Sequence, residues 1–142
     1  MSKVLLVEDN PGDVELTRLA FETAGIGCDI RVAKSGEVAV EILAKEEEPA
    51  QTWIPDLILL DLNLPGMGGH DVLRWIKSDE KRRRIPVIAL SSSASAEDVG
   101  LSYDLAANSY IQKPADMAGF VDVAKSIGTF WLDTAQQYPA HR

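Results

Sequence analysis

Apolar runs of four to six residues alternate along the chain with longer amphipathic stretches. Residues 3–7 read as a first strand. Residues 11–24 follow as a helix, with Asn10 as N-cap, Pro11 at the first helical position and Gly25 as the stop. Residues 28–33 form a second strand, and residues 36–47 a helix with Val38, Ala39, Ile42 and Leu43 on one face. Residues 57–60, entered from Pro55-Asp56, make a continuous apolar strand. A loop over residues 64–69 precedes a helix at 71–78 that uses Val72, Leu73 and Ile76. Residues 87–90 form a fourth strand, 95–106 a helix capped by Ser95, and 109–111 a short fifth strand. The last helix sets Met117, Phe120, Val121, Ala124, Ile127, Gly128 and Trp131 at heptad-like spacing. Five such β-α units imply a parallel sheet with helices on both faces, and the unbroken apolar strands agree. The segment 46–53 is a polar connection longer than the others.

The length of 142 residues suits one domain, here the whole of 1–142, with 132–142 as a C-terminal extension. An apolar fraction of 46% can build a core without disulfides, and a single cysteine, Cys28, permits no internal one. Cys28 reads as a small core residue in a reducing compartment, so a cytoplasmic location is expected. The apolar start, residues 4–7, is too short for a signal peptide or a membrane span. A net charge of −8 repels phosphate backbones and argues against nucleic-acid binding. The one basic run, residues 81–84, is offset by Asp79 and Glu80 and reads as a solvated helix end.

In an open α/β sheet, sites form at the carboxyl ends of the strands. Glu8 and Asp9 follow the first strand, Asp61 and Asn63 the third, Ser91 the fourth, and Lys113-Pro114 the fifth. Three carboxylates, a hydroxyl and an ammonium therefore converge on one edge. Two carboxylates about 4 Å apart repel by about 4 kcal/mol at an effective dielectric near 20. Lys113 alone does not balance three of them. Oxygen donors without a nearby His or Cys point to a hard cation such as Mg²⁺, with Mn²⁺ as a substitute. Asp9 and Asp61 are expected as direct ligands, the backbone carbonyl of Asn63 as a third, and Glu8 through water. A carboxylate in such a site can be a nucleophile toward phosphorus, with Lys113 and Ser91 binding the phosphoryl oxygens.

Four strings carry a resemblance: Val7-Glu8-Asp9-Asn10, Leu59-Leu60-Asp61-Leu62-Asn63-Leu64-Pro65, Ala89-Leu90-Ser91 and Tyr110-Ile111-Gln112-Lys113-Pro114. Together they resemble the receiver domain of bacterial response regulators, in order and over nearly the whole chain. The resemblance implies a flavodoxin-like, doubly wound five-stranded parallel sheet of order 2-1-3-4-5 with five helices. It implies phosphorylation of Asp61 by a sensor histidine kinase in a Mg²⁺-dependent reaction, and a switch in which Ser91 moves toward the phosphate and Tyr110 turns inward. It also implies a cis Lys113–Pro114 bond that aims the lysine at the phosphate. Asn10-Pro11-Gly12-Asp13, Asp61-Leu62-Asn63-Leu64-Pro65, Ser102-Tyr103-Asp104-Leu105 and the ending Ser126-Ile127 with Phe130-Trp131-Leu132 are similar to single-domain regulators paired with phytochrome histidine kinases. Two departures stand out. Ser91 replaces a common threonine, and Gly66-Met67-Gly68-Gly69 predicts a loosened loop.

Other readings fare less well. A haloacid-dehalogenase-like phosphohydrolase needs a second Asp where Asn63 stands. A flavin carrier needs a Ser/Thr/Gly phosphate loop where Glu8-Asp9 stand. A pseudo-receiver, an interaction module without phosphorylation, would not need the full set of residue types. No role is expected for His70 or His141, which are isolated from each other. Trp75 and Trp131 read as packing or interface residues. The expected protein is thus a switch rather than an enzyme with an external substrate. With no output domain after Arg142, signal is expected to pass to protein partners, among them a histidine phosphotransfer protein. Leu132, Tyr138 and Tyr103 suggest a homodimer through the C-terminal half.

Overall fold

The computed structural model describes residues 1–45 and 53–138. The expected loop at 46–53 therefore lies outside the described residues except for Trp53, and His141 lies outside them too. The elements run β1 (Ser2–Val7), α1 (Pro11–Thr23), β2 (Cys28–Ala33), α2 (Gly36–Ala44), β3 (Leu57–Asp61) and α3 (Gly69–Lys77). A short 3₁₀ turn (Arg82–Arg84) leads to β4 (Val87–Ser91), α4 (Ala96–Asp104), β5 (Ser109–Gln112) and α5 (Met117–Ile127). The five strands form one parallel sheet in the order β2-β1-β3-β4-β5. This is the expected doubly wound, flavodoxin-like arrangement.

Alternation of side chains along the strands divides the core into two layers. Leu5, Val7, Ile58, Leu60, Val87 and Ala89 face one way, onto Ala39 and Leu43 of α2 and Val72, Leu73 and Ile76 of α3. Val4, Leu6, Leu57, Leu59, Ile88 and Leu90 face the other way, onto Ala20 and Phe21 of α1 and Ala124 and Ile127 of α5. β3 and β4 are buried along their whole length, which is why both read as unbroken apolar runs.

The helix starts follow their caps. Asn10 Oδ1 accepts the Asp13 N–H at 3.1 Å, Ser35 Oγ that of Val38 at 3.1 Å, and Ser95 Oγ that of Asp98 at 3.1 Å. After α1 the chain turns through Gly25 at φ 74°, a left-handed conformation that glycine adopts without a Cβ penalty.

Three expectations are corrected. α3 begins at Gly69 rather than residue 71, so the last glycine of the loop is a packed helical residue. The final helix does not continue regularly through Trp131. It ends at Ile127 and widens into a π-helical segment, Gly128–Thr134, which carries Trp131 and Leu132 back against the α1/α5 layer. The basic run is only partly solvated. The Arg82 guanidinium lies 3.6 Å over the Trp75 ring and 3.9 Å from Asp79, and its side chain is 11% exposed. Stacking on an indole desolvates the guanidinium plane while the carboxylate keeps its charge paired.

Candidate functional site

Parallel pairing carries every strand's carboxyl end to the same edge, which brings distant residues together. Glu8 follows β1 directly, and its N–H donates to Ala33 O at 3.0 Å. Asp61 is the last residue of β3 and Ser91 the last of β4. The Lys113 N–H donates to Ser91 O at 2.7 Å, extending the sheet by one residue so that the lysine enters the cluster. One carboxylate oxygen from each of Glu8, Asp9 and Asp61 lies within 4.8 Å of the other two. Glu8 and Asp61 are each 2% exposed, while Asp9 faces solvent.

The Lys113 ammonium is the hub. Its Nζ donates to Glu8 Oε1 at 2.7 Å, to Asp13 Oδ2 at 2.9 Å and to Asp61 Oδ2 at 3.2 Å. Asp13 was not expected in the site. Its signal was nonetheless present. It stands in the first turn of α1, which starts at the carboxyl edge of the sheet just after Glu8 and Asp9. The site is thus more acidic than the sequence suggested, with four carboxylates in the cluster and three of them on one ammonium.

Burial shapes the titration of this cluster. It pushes the Glu8 carboxyl from 4.5 up to about 7, and the neighbouring Asp61 adds to the rise while Lys113 opposes it. Burial by itself lowers the Lys113 ammonium, but the hydrogen bonds to Glu8 and Asp13 and the charges of Asp61 and Glu8 raise it above its ordinary value. A carboxyl whose folded pKa lies above its unfolded one binds an extra proton in the folded state. Its stabilising contribution is complete below about pH 4.5 and is lost as pH rises through about 7. In metal-free buffer the wild type should therefore gain about 1–3 kcal/mol relative to Glu8→Gln as pH falls from 7 to 4.5. Urea unfolding of both proteins across that range measures it. A constant difference would contradict the assignment.

Asp61 Oδ1 accepts the Asn63 N–H at 3.0 Å, which fixes the carboxylate's orientation. The Ser91 hydroxyl, expected to bind a phosphoryl oxygen, is buried and already engaged at rest. It accepts from Asn63 Nδ2 at 3.3 Å and from the Ser93 N–H at 3.1 Å. The Tyr110 hydroxyl donates to Ser93 O at 2.7 Å, so Tyr110 and Ser91 both hold the turn that leads to α4. His70, for which no role was expected, joins α3 to α4 through Nε2 and the fully buried Ser102 hydroxyl at 3.1 Å.

The expected cis Lys113–Pro114 bond is corrected: the described residues contain no cis peptide. The trans form of an X-Pro bond is favoured by about 0.5–1 kcal/mol. From it the long lysine side chain already reaches three carboxylates, so no bend is required. No helix among the described residues is long and apolar enough to cross a membrane.

The chain matches the response regulator receiver domain model over residues 4–125. It is 36% identical to the response regulator Rcp1 of Synechocystis over 131 residues, covering 92% of this chain and 89% of Rcp1. The phosphorylated cyanobacterial phytochrome response regulator RcpA superposes with a TM-score of 0.89 at 41% identity, covering 97% of this chain and 99% of that one. The Mn²⁺-bound form of Rcp1 superposes with a TM-score of 0.87 at 34% identity, covering 98% of this chain and 100% of that one. With the acidic cluster, the central aspartate and the lysine hub in place at the carboxyl edge of the sheet, this chain belongs to the response regulator receiver domain family and is related to the phytochrome response regulators.

Proposed function

We propose that the protein is a phosphoryl-accepting signalling switch, in which Asp61 takes a phosphoryl group from the phosphohistidine of a sensor histidine kinase. The observation that carries this reading is the Asp61 carboxylate itself. It is buried at the end of a central strand, oriented by the Asn63 N–H, and 3.2 Å from an ammonium. An Asp61 oxygen attacks phosphorus, the P–N bond to the histidine breaks, and an aspartyl phosphate forms. Lys113 then donates to a phosphoryl oxygen, and the Ser91 hydroxyl, released from Asn63, donates to another.

The donor set fits a hard divalent cation, since Glu8, Asp9 and Asp61 present carboxylate oxygens and no His or Cys stands among them. Asp9 and Asp61 would hold Mg²⁺ or Mn²⁺ directly, with the Asn63 carbonyl beside them. Glu8 has one oxygen on Lys113 and the other on the Asn10 N–H, which suits a contact through water. Such an ion supplies charge neutralisation for the transferring phosphoryl group. Acetyl phosphate should give a hydroxylamine-labile label on the wild type only when Mg²⁺ or Mn²⁺ is added. Asp9→Asn should bind Mn²⁺ at least about tenfold more weakly by calorimetry. Label formed equally well in chelator would defeat this reading.

The wider setting follows from the same reading. The kinase is a phytochrome, on the strength of likeness to the phytochrome response regulator RcpA. The protein acts in the cytoplasm as a switch, with Ser91 and Tyr110 relaying the state of Asp61 to α4, and a histidine phosphotransfer protein is a further partner.

A homodimer through the C-terminal half belongs to the proposal too. Leu101 and Tyr103 on α4 are 38% and 51% exposed, and Phe130 is 52% exposed. The extension contributes less than its sequence suggested. Leu132 packs on the chain's own core, and the Arg84 guanidinium lies 4.5 Å over the Tyr138 ring. The test is therefore Tyr103→Glu rather than a truncation, which would open the core. Light scattering should show a dimer for the wild type and a monomer for Tyr103→Glu. A wild type that stays monomeric at high concentration, with and without phosphorylation, would refute it.

A further inference from the structure

We propose that Asp13 is a positioning residue that occupies one proton of the Lys113 ammonium in the resting state and yields it when Asp61 carries a phosphoryl group. The inference rests on the phosphoacceptor reading of Asp61 and goes beyond it.

An ammonium has three protons to donate. In the resting protein all three are engaged, and the contact to Asp61 at 3.2 Å is longer than those to Glu8 at 2.7 Å and Asp13 at 2.9 Å. For Lys113 to bind a phosphoryl oxygen, one contact must be exchanged. The Asp61 contact alone is the weakest to trade, because the new acceptor grows from that same carboxylate and needs the ammonium nearer to it. Glu8 cannot be given up cheaply. It is 2% exposed, and a buried carboxylate that loses its partner keeps the full cost of desolvation. Asp13 differs. Its side chain is 27% exposed at the first turn of α1, so water can replace the ammonium there. Its backbone N–H is capped independently by Asn10, so releasing the side chain leaves the helix start intact. Asp13 is thus the one partner of Lys113 that can let go at little cost. While it holds, one of the three ammonium protons stays on the Asp13 carboxylate of α1.

Removing the Asp13 charge should free that proton and tighten binding of a phosphoryl mimic. The experiment measures beryllium fluoride affinity at saturating Mg²⁺ for the wild type, Asp13→Asn, Lys113→Ala and the double variant. Asp13→Asn should bind about two- to fivefold more tightly than the wild type, the range expected for a partly exposed ion pair. In the Lys113→Ala background the same substitution should have no effect, because no ammonium remains to release. A merely structural or long-range charge effect would persist in both backgrounds, and that result overturns the proposal. So does equal or weaker binding by Asp13→Asn beside a wild type that responds normally. Failure of the underlying reading has a different signature: the wild type itself would not bind the mimic, or Asp61→Asn would bind it equally well.

Discussion

Asp61→Asn should take up no phosphoryl label from acetyl phosphate in Mg²⁺, while melting at or above the temperature of the wild type. The two halves of this result have separate causes. An amide oxygen is a poor nucleophile toward phosphorus, and no other carboxylate has Asp61's surroundings. Glu8 is engaged at both oxygens, Asp9 faces solvent, and Asp13 sits on α1 with an oxygen on the ammonium. The loss should therefore be complete rather than partial. Stability should hold because asparagine is nearly isosteric and can still accept the Asn63 N–H through Oδ1. It also removes one of four negative charges, and like charges about 4 Å apart repel by about 4 kcal/mol at an effective dielectric near 20. Label retained at the wild-type level would overturn the phosphoacceptor assignment. Label lost together with a large drop in melting temperature would instead indicate that Asp61 holds the fold.

Gly69→Ala should destabilise the protein and slow phosphorylation together, although alanine favours helices over glycine by about 1 kcal/mol. A Cβ at Gly69 would overlap Leu62 Cα and stand 2.6 Å from Asp61 O. Both are backbone atoms, so no side chain can swing aside to make room. Either α3 lifts off the sheet or the end of β3 shifts, and the second moves Asp61. Overpacking of this kind costs about 1–3 kcal/mol, more than the helix preference returns. Gly100→Ala in α4 is the matched control, since its Cβ would meet nothing within 4 Å. It should raise the urea midpoint by the equivalent of about 0.5–1 kcal/mol. Gly69→Ala matching Gly100→Ala would show that the close approach is not maintained in solution.

These two sites also separate what could be read from the chain in one dimension from what could not. Strand identity was legible because β3 and β4 are covered on both faces, and such strands can only be apolar throughout. Helix starts at Asn10 and Ser95 were legible because a cap acts within three residues of itself. Asp61, Ser91 and Lys113 were legible for a related reason. Parallel pairing puts all strand ends on one edge, so a residue's place just after its strand already gives its place in the site.

Pairwise contacts between elements were not legible. The glycines after Pro65 read as a loosened loop, yet Gly69 stands so close to the backbone at the end of β3 that a Cβ would not fit. Nothing local distinguishes a glycine kept for freedom from one kept for lack of a side chain. Arg82 read as one of a solvated basic run, but its stacking on Trp75 depends on the turn that follows α3. The extension read as a protruding dimer element, whereas the widening of the helix at Gly128 brings Leu132 onto the chain's own core beside Trp131, which was expected there.

The sequence by itself determined the order and type of the elements, the edge on which chemistry gathers and the residue types that gather there. Periodicity, capping and strand ends are local properties, and each is written within a few residues. Only the tertiary structure decided that the three carboxylate partners of Lys113 are Glu8, Asp13 and Asp61, and that the Ser91 hydroxyl is held by Asn63 at rest. Those facts depend on distances of about 3 Å between side chains from different elements. Such distances are fixed by how helices and strands pack and by which rotamers that packing leaves open, and no single segment of the chain carries that information.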